Sequence, residues 1–299
     1  YAGSTALEGD ILFGGDLSKW TAFAKSLKIK YLMRISARVD VGADLQELYD
    51  EHAFISSNAD NASFDFTDTR PNNFRMANLR TGDFNLFIMS ETMQEILNDL
   101  SDPREAVFFR PTQSDPTRFR GLLNGPDASQ LSISVADYSL TGTIFRERTG
   151  ALDASYMTAW ETHFLLAEAA VRGLIDADAQ ALYEAGVALA FEYWQTELPD
   201  DYLRSGAAAF GESQSQQLEQ ILTQKWLANI INGYEGWIEY RRTGYPALRT
   251  IAASLNGDRI PARMPYPPDE EALNALNYNE AIGRLGGSNN INAKVWWAE

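Results

Sequence analysis

The sequence predicts a mostly α-helical fold with long irregular loops and few short strands. Three observations carry that expectation. Apolar residues recur at helical spacing behind capping residues in four stretches, about 16–38, 84–100, 158–198 and 213–240. Between them, 56–84 and 107–156 lack helical periodicity; the first is rich in Asn, Asp, Ser, Thr and Gly, the second in Gly and Pro. The chain has 299 residues, 45% hydrophobic and 12% aromatic, enough for a substantial core. No linker-like stretch divides it, so 1–299 reads as a single domain.

The elements follow in order. Gly9 to Gly15 is a loop, and Asp16 or Ser18 caps a helix to about Arg38. Trp20, Phe23, Leu27 and Tyr31 are expected to form its buried face. The same helix carries Lys19, Lys25, Lys28, Lys30, Arg34 and Arg38 and no acid, a local reversal of sign best explained by pairing with acidic neighbours. Phe84 to Leu100 reads as one helix, stopped by Ser101-Asp102-Pro103. Residues 107–156 carry short alternating stretches such as Leu131 to Val135, read as short strands. Thr158 and Glu161 form a capping box that starts a helix ending near Gly173. A second helix runs from Asp176 or Asp178 toward Leu198, with Leu182, Gly186, Leu189 and Tyr193 on one face. With small residues Ala167, Ala170 and Gly186 at the crossing, about 158–198 looks like a tetratricopeptide-type hairpin. A longer helix spans Ser213 to Tyr240, interrupted at Gly233 or Gly236, with Leu218, Ile221, Leu222, Trp226 and Ile230 on one face. The tail carries one short helix near Asp269–Leu276 and ends in Trp296-Trp297.

Composition excludes several classes of function. A formal charge of −16 repels nucleic-acid phosphates and anionic lipid headgroups. The absence of cysteine removes disulfides, thiol catalysis and cysteine–metal sites. No apolar run approaches the roughly 18 residues needed to cross a membrane. The two histidines, His52 and His163, have no metal-ligand spacing, and His163 reads as a satisfied histidine within its helix. No phosphate-binding glycine motif is present, and no EF-type spacing marks a calcium loop. No cofactor is expected.

Six blocks are more particular than generic helix. They are Lys19-Trp20 with Phe23 to Lys28 and Met33 to Ser36; Asp102-Pro103-Arg104; Met157-Thr158 through Ala167-Glu168-Ala169 with Arg172-Gly173; Gln224-Lys225-Trp226 through Arg241-Arg242-Thr243-Gly244-Tyr245-Pro246; Pro261 and Arg263 with Tyr266-Pro267, Glu270 and Asn274; and Val295-Trp296-Trp297. In order and spacing they resemble the SusD/RagB-type outer-membrane nutrient-binding lipoproteins of Bacteroidota, in the SusD-like branch. Lys25 stands where that pattern usually has Asn, and Trp160 replaces a small or acidic residue. The resemblance implies an α-α superhelix. It also implies that the chain corresponds to the C-terminal three-fifths of such a protein, whose members carry further helical repeats and a lipid-anchored Cys before this point.

What the resemblance implies about function is capture of oligosaccharides, or less often peptides, at the outer-membrane surface. They are delivered to a SusC-type TonB-dependent transporter, with no catalysis. Membrane attachment would run only through the N-terminal lipid anchor. Trp20, Trp226 and Trp237 read as core, and Trp296-Trp297 as packing of a terminus. Glu239 lies within helical reach of Arg242 and is expected to pair with it. Sugar faces stack on aromatic rings while amides and guanidiniums bond hydroxyls, so the candidate ligand residues lie in the loops. They are Arg70, Asn72, Asn73, Phe74 and Arg75 in the first loop region, and Phe119, Arg120, Asn124 and Tyr138 in the second. Two alternatives remain: a peptide-binding or pure interaction scaffold, and a glycosidase, for which no carboxylate pair is singled out by spacing.

Overall fold

The computed structural model describes residues 8–127, 134–249, 251 and 253–298. Helices α1 (Leu17–Ile35) and α2 (Gly42–Asp50) open it. The Asp16 carboxylate accepts hydrogen bonds from the Ser18 and Lys19 amides, satisfying donors that a helix start leaves orphaned. The stripe of α1 that is fully buried is Ser26, Ile29 and Met33, not the expected aromatic one. Trp20, Phe23 and Leu27 are half-buried and Tyr31 is exposed, because Phe13 folds back on Trp20 and Phe23 beside the main core.

Strand β1 (Ala62–Asp65) pairs antiparallel with β2 (Asp153–Met157), with Ala62 opposite Met157 and Asp65 opposite Asp153. This two-stranded ribbon closes the base of a loop region that holds three short elements: helix α3 (Thr81–Phe84), helix α4 (Glu91–Leu100) and helix α5 (Glu105–Phe108). The helix expected from Phe84 therefore starts at Glu91. The intervening backbone bonds elsewhere: the Met89 amide donates to the Ser139 carbonyl and the Leu122 amide to the Met89 carbonyl, both at 2.8 Å. Ser90 then caps α4 by accepting from the Met93 amide. Of the predicted strand at Leu131–Val135, residues 131–133 lie outside the described part, and Val135 opens a 3₁₀ turn.

The scaffold is helix α6 (Ala159–Val171) with α7 (Ala179–Tyr193), then α8 (Gln214–Ala228) and α9 (Gly233–Thr243). Every α6 residue from Ala159 to Ala169 except His163 is buried, because α1, α7 and α8 all pack on it. The hairpin of α6 and α7 crosses where Gly186 meets the Phe164 ring; an added Cβ would lie 2.8 Å from a ring carbon. Thr158 caps α6 through the Glu161 amide, but the Glu161 carboxylate turns to Lys30 at 2.9 Å. The reciprocal capping box is found at Ser213 and Gln216 instead. The break between α8 and α9 is at Asn229–Asn232, just before Gly233, and the Asn232 side chain caps α9. The tail forms two short helices, α10 (Pro268–Leu273) and α11 (Ala275–Arg284), rather than one.

The motif tryptophans Trp20, Trp226 and Trp237 are half-buried, while Trp160 and Trp194 form the core. The Trp194 indole donates to the Ala228 carbonyl at 3.0 Å and meets Phe108 edge-on at 4.8 Å. Arg241 lies between the Trp237 ring at 3.8 Å and the Trp297 ring at 4.9 Å, which fixes the C-terminal segment to α9.

The basic run of α1 is paired throughout. Lys19, Lys25 and Lys28 meet Asp60, Glu51 and Asp44 at the surface. Lys30 and Arg34 reach Glu235 on α9. Deeper in, Lys225 pairs with Glu239, and Arg242 bridges Glu168 and Glu239 at 2.6 and 2.7 Å. Burial pushes the Glu168 carboxyl up, but the Arg242 guanidinium outweighs it and holds the group below the usual carboxylate range. Glu239 follows the same balance, with Lys225 adding to the effect.

Candidate functional site

The first group of predicted residues forms a small polar knot. Asn73 and Asn78 exchange side-chain amide bonds at 3.1 and 3.2 Å, and the Arg70 guanidinium donates to Asn78. Asn78 was not singled out by the sequence reading; its position at the end of a 3₁₀ turn, Arg75–Asn78, is what returns it to Asn73. The Asn72 carbonyl accepts from the Thr67 amide at 2.8 Å, so its backbone shapes the loop while its side chain is exposed. Arg75 is exposed. Phe74 packs on Phe66 and Phe145, at 5.4 and 6.3 Å between ring centroids, and serves the core under the loops.

The second group is built on a ladder of loop hydrogen bonds. Arg120 donates its amide to the Ser139 hydroxyl at 3.0 Å, and its carbonyl accepts the Ser139 amide at 2.8 Å. These bonds place the exposed Arg120 guanidinium 4.9 Å from the centre of the Tyr138 ring. Gly121 is required next door, because a Cβ there would press into the Ser90 carbonyl. Phe119 is half-buried against the cluster around Met89, and its carbonyl accepts from Gln94 at 2.9 Å. Asn124 is exposed two residues beyond Leu122. The structure therefore joins Arg120 to Tyr138 as one platform and links Arg70 to Asn73 through Asn78 as another.

None of these residues lines the cleft of about 380 Å³ between α4 and α8. One wall presents Thr92, Glu95 and Asp99 from successive turns of α4; the other presents Glu219, Thr223 and Gln224 from α8. The fully buried Tyr183 reaches the cleft from α7, and its hydroxyl is held by the Ala208 carbonyl at 2.8 Å. Arg249 stands at the rim and pairs with Glu91 and Glu95. The spacing of Glu95 and Asp99 puts both on one helix face, a signal present in the sequence, but nothing there told that Glu219 would face them.

His163 donates from Nδ1 to the Ala159 carbonyl of its own helix at 2.9 Å, and Phe54 stands between it and His52. Burial lowers its pKa. Among the described residues no group of three His, Cys, Asp or Glu side chains could hold a metal ion. No helix among them is long and apolar enough to cross a membrane.

The helical scaffold with its long ordered loops is a SusD-like fold. The profile of the SusD-like family described as "starch-binding associating with outer membrane" matches residues 2–267, and the chain belongs to that family. It is similar to a SusD homologue from Bacteroides uniformis, at 29% identity and a TM-score of 0.83, over 99% of this chain and 68% of that one. A SusD homologue from Bacteroides fragilis shares the fold at 24% identity and a TM-score of 0.86, over 98% of this chain and 70% of that one. A chitin-binding SusD homologue from Flavobacterium johnsoniae matches at 25% identity and a TM-score of 0.79, over 96% of this chain and 65% of that one. No curated protein matches the sequence.

Proposed function

We propose that the chain captures oligosaccharides at the outer-membrane surface and passes them to a SusC-type TonB-dependent transporter, without catalysing their cleavage. The family match over residues 2–267 is the observation that carries this reading. The chitin-binding relative supports a glycan rather than a peptide as ligand. The Arg120–Tyr138 platform is the contact surface we favour, because an aromatic ring beside guanidinium donors suits a sugar's apolar face and its hydroxyls. Arg70, Asn73 and Asn78 supply a second set of donors and acceptors in the first loop region.

Calorimetric titration with neutral starch- and chitin-derived oligosaccharides tests it. Tyr138→Ala is expected to raise Kd about tenfold, a loss of roughly 1.4 kcal/mol, with the thermal midpoint unchanged. Binding that ignores Tyr138→Ala and Arg120→Ala would move the site elsewhere. No binding of any neutral glycan, or turnover of a chromogenic glycoside, would remove the reading.

A further inference from the structure

The α4–α8 cleft has features that the neutral-glycan reading does not use. Thr92 is nine-tenths buried, lines the cleft and has no hydrogen-bond partner among the described residues; Thr223 opposite is half-buried, lines the same cleft and likewise has no partner among them. Neither hydroxyl is sealed from the open space, so both are reachable by a ligand's hydrogen-bonding groups. Asp99 and Glu219 face the same space and form no ion pair among the described residues, and Arg249 at the rim is already engaged by Glu91 and Glu95. Asp99 also lies in the last turn of α4, which has no basic residue, so the helix's terminal carbonyls add to the negative potential there. Leu100, Ile96 and the Tyr183 ring supply an apolar floor.

We propose that this cleft is a subsite for a hydroxylated cation, an amino sugar with a free ammonium group. Asp99 and Glu219 hold the ammonium, Thr92 and Thr223 bond hydroxyls, and the apolar floor takes the sugar's C–H face. The inference rests on the glycan-capture reading and narrows its ligand to partly deacetylated chitin-type chains.

The test titrates the chain with the glucosamine tetramer, the N-acetylglucosamine tetramer and a lysine tetrapeptide. The glucosamine tetramer is expected to bind tightest. Its Kd should rise about tenfold in Asp99→Asn/Glu219→Gln, as two partly exposed ion pairs allow, while the acetylated tetramer is unaffected. Both substitutions are isosteric on exposed side chains, so the fold is retained. Asp269→Asn/Glu271→Gln on α10 removes the same charge elsewhere and should change neither Kd. Equal binding of the two tetramers, an equal loss in the α10 control, or lysine tetrapeptide binding as tight as the amino sugar each overturns the proposal. Neutral glycan binding that depends on Tyr138 while the ammonium preference is missing would sink this proposal alone; loss of both would sink the capture reading with it.

Discussion

The helical scaffold and the loop region between β1 and β2 spend their polar groups differently. In the scaffold, charges from distant segments meet inside: Arg34 pairs with Glu235 and Arg242 with Glu168, linking α1, α6 and α9. In the loop region one ion pair is buried, Asp102 with Arg104, which also reaches Gln224 of α8; the rest of the buried work is done by backbone bonds and a phenylalanine cluster, and Arg70, Arg75 and Arg120 remain at the surface. The scaffold uses its ions to fix helix positions; the loop region, apart from Asp102–Arg104, keeps most of its arginines at the surface. Burial explains the contrast, because an ion removed from water must be paired, whereas an exposed one need not be.

The comparison breaks first at the buried network. Glu168→Ala strips Arg242 and Arg172 of a shared partner, and a denaturant titration should show a loss of about 3–5 kcal/mol. Acid acts on the same groups more gradually. The folded-state pKa values of Glu168 and Glu239 lie below the ordinary 4.5, so their contribution is complete above that pH and is lost as pH falls through the folded values. The thermal midpoint should therefore drop steadily below about pH 4.5, and a flat profile from pH 5 to 3 would contradict the network's role. The two glycines sharpen the contrast. Gly121→Ala drives a methyl into the Ser90 backbone, which cannot rotate aside, and should cost roughly 1–3 kcal/mol. Gly186→Ala meets only the Phe164 ring and gains helix propensity of about 1 kcal/mol, so its net effect on the denaturation midpoint should be the smallest.

Much of the scaffold was legible. Asp16, Thr158 and Ser213 announce three helix starts, and the Gly173 turn separates α6 from α7. The errors share a cause. Phe84 to Leu100 has helical spacing, but residues 85–90 gain more from bonding Leu122 and Ser139 than from one more helical turn. Trp20 to Tyr31 looked like the buried face of α1 because large aromatics dominate the pattern. The smaller stripe of Ser26, Ile29 and Met33 fits closer to its neighbours. At the candidate site, single residues were legible and their grouping was not: Arg120 and Tyr138 are eighteen positions apart in sequence and meet only through the Ser139 bonds.

By itself the sequence determined the helices, their caps, the irregular loops and membership of the family, because these depend on local spacing and on ordered motifs. Helical spacing gave the Glu239–Arg242 pair, but only the tertiary structure decided the pairings between distant segments and which charges face open space. Asp99 and Glu219 carry the same charge as Glu168 and Glu239, but the first two border a cleft and the second two surround Arg242. That difference comes from contacts between chain segments more than seventy residues apart, which no local pattern encodes.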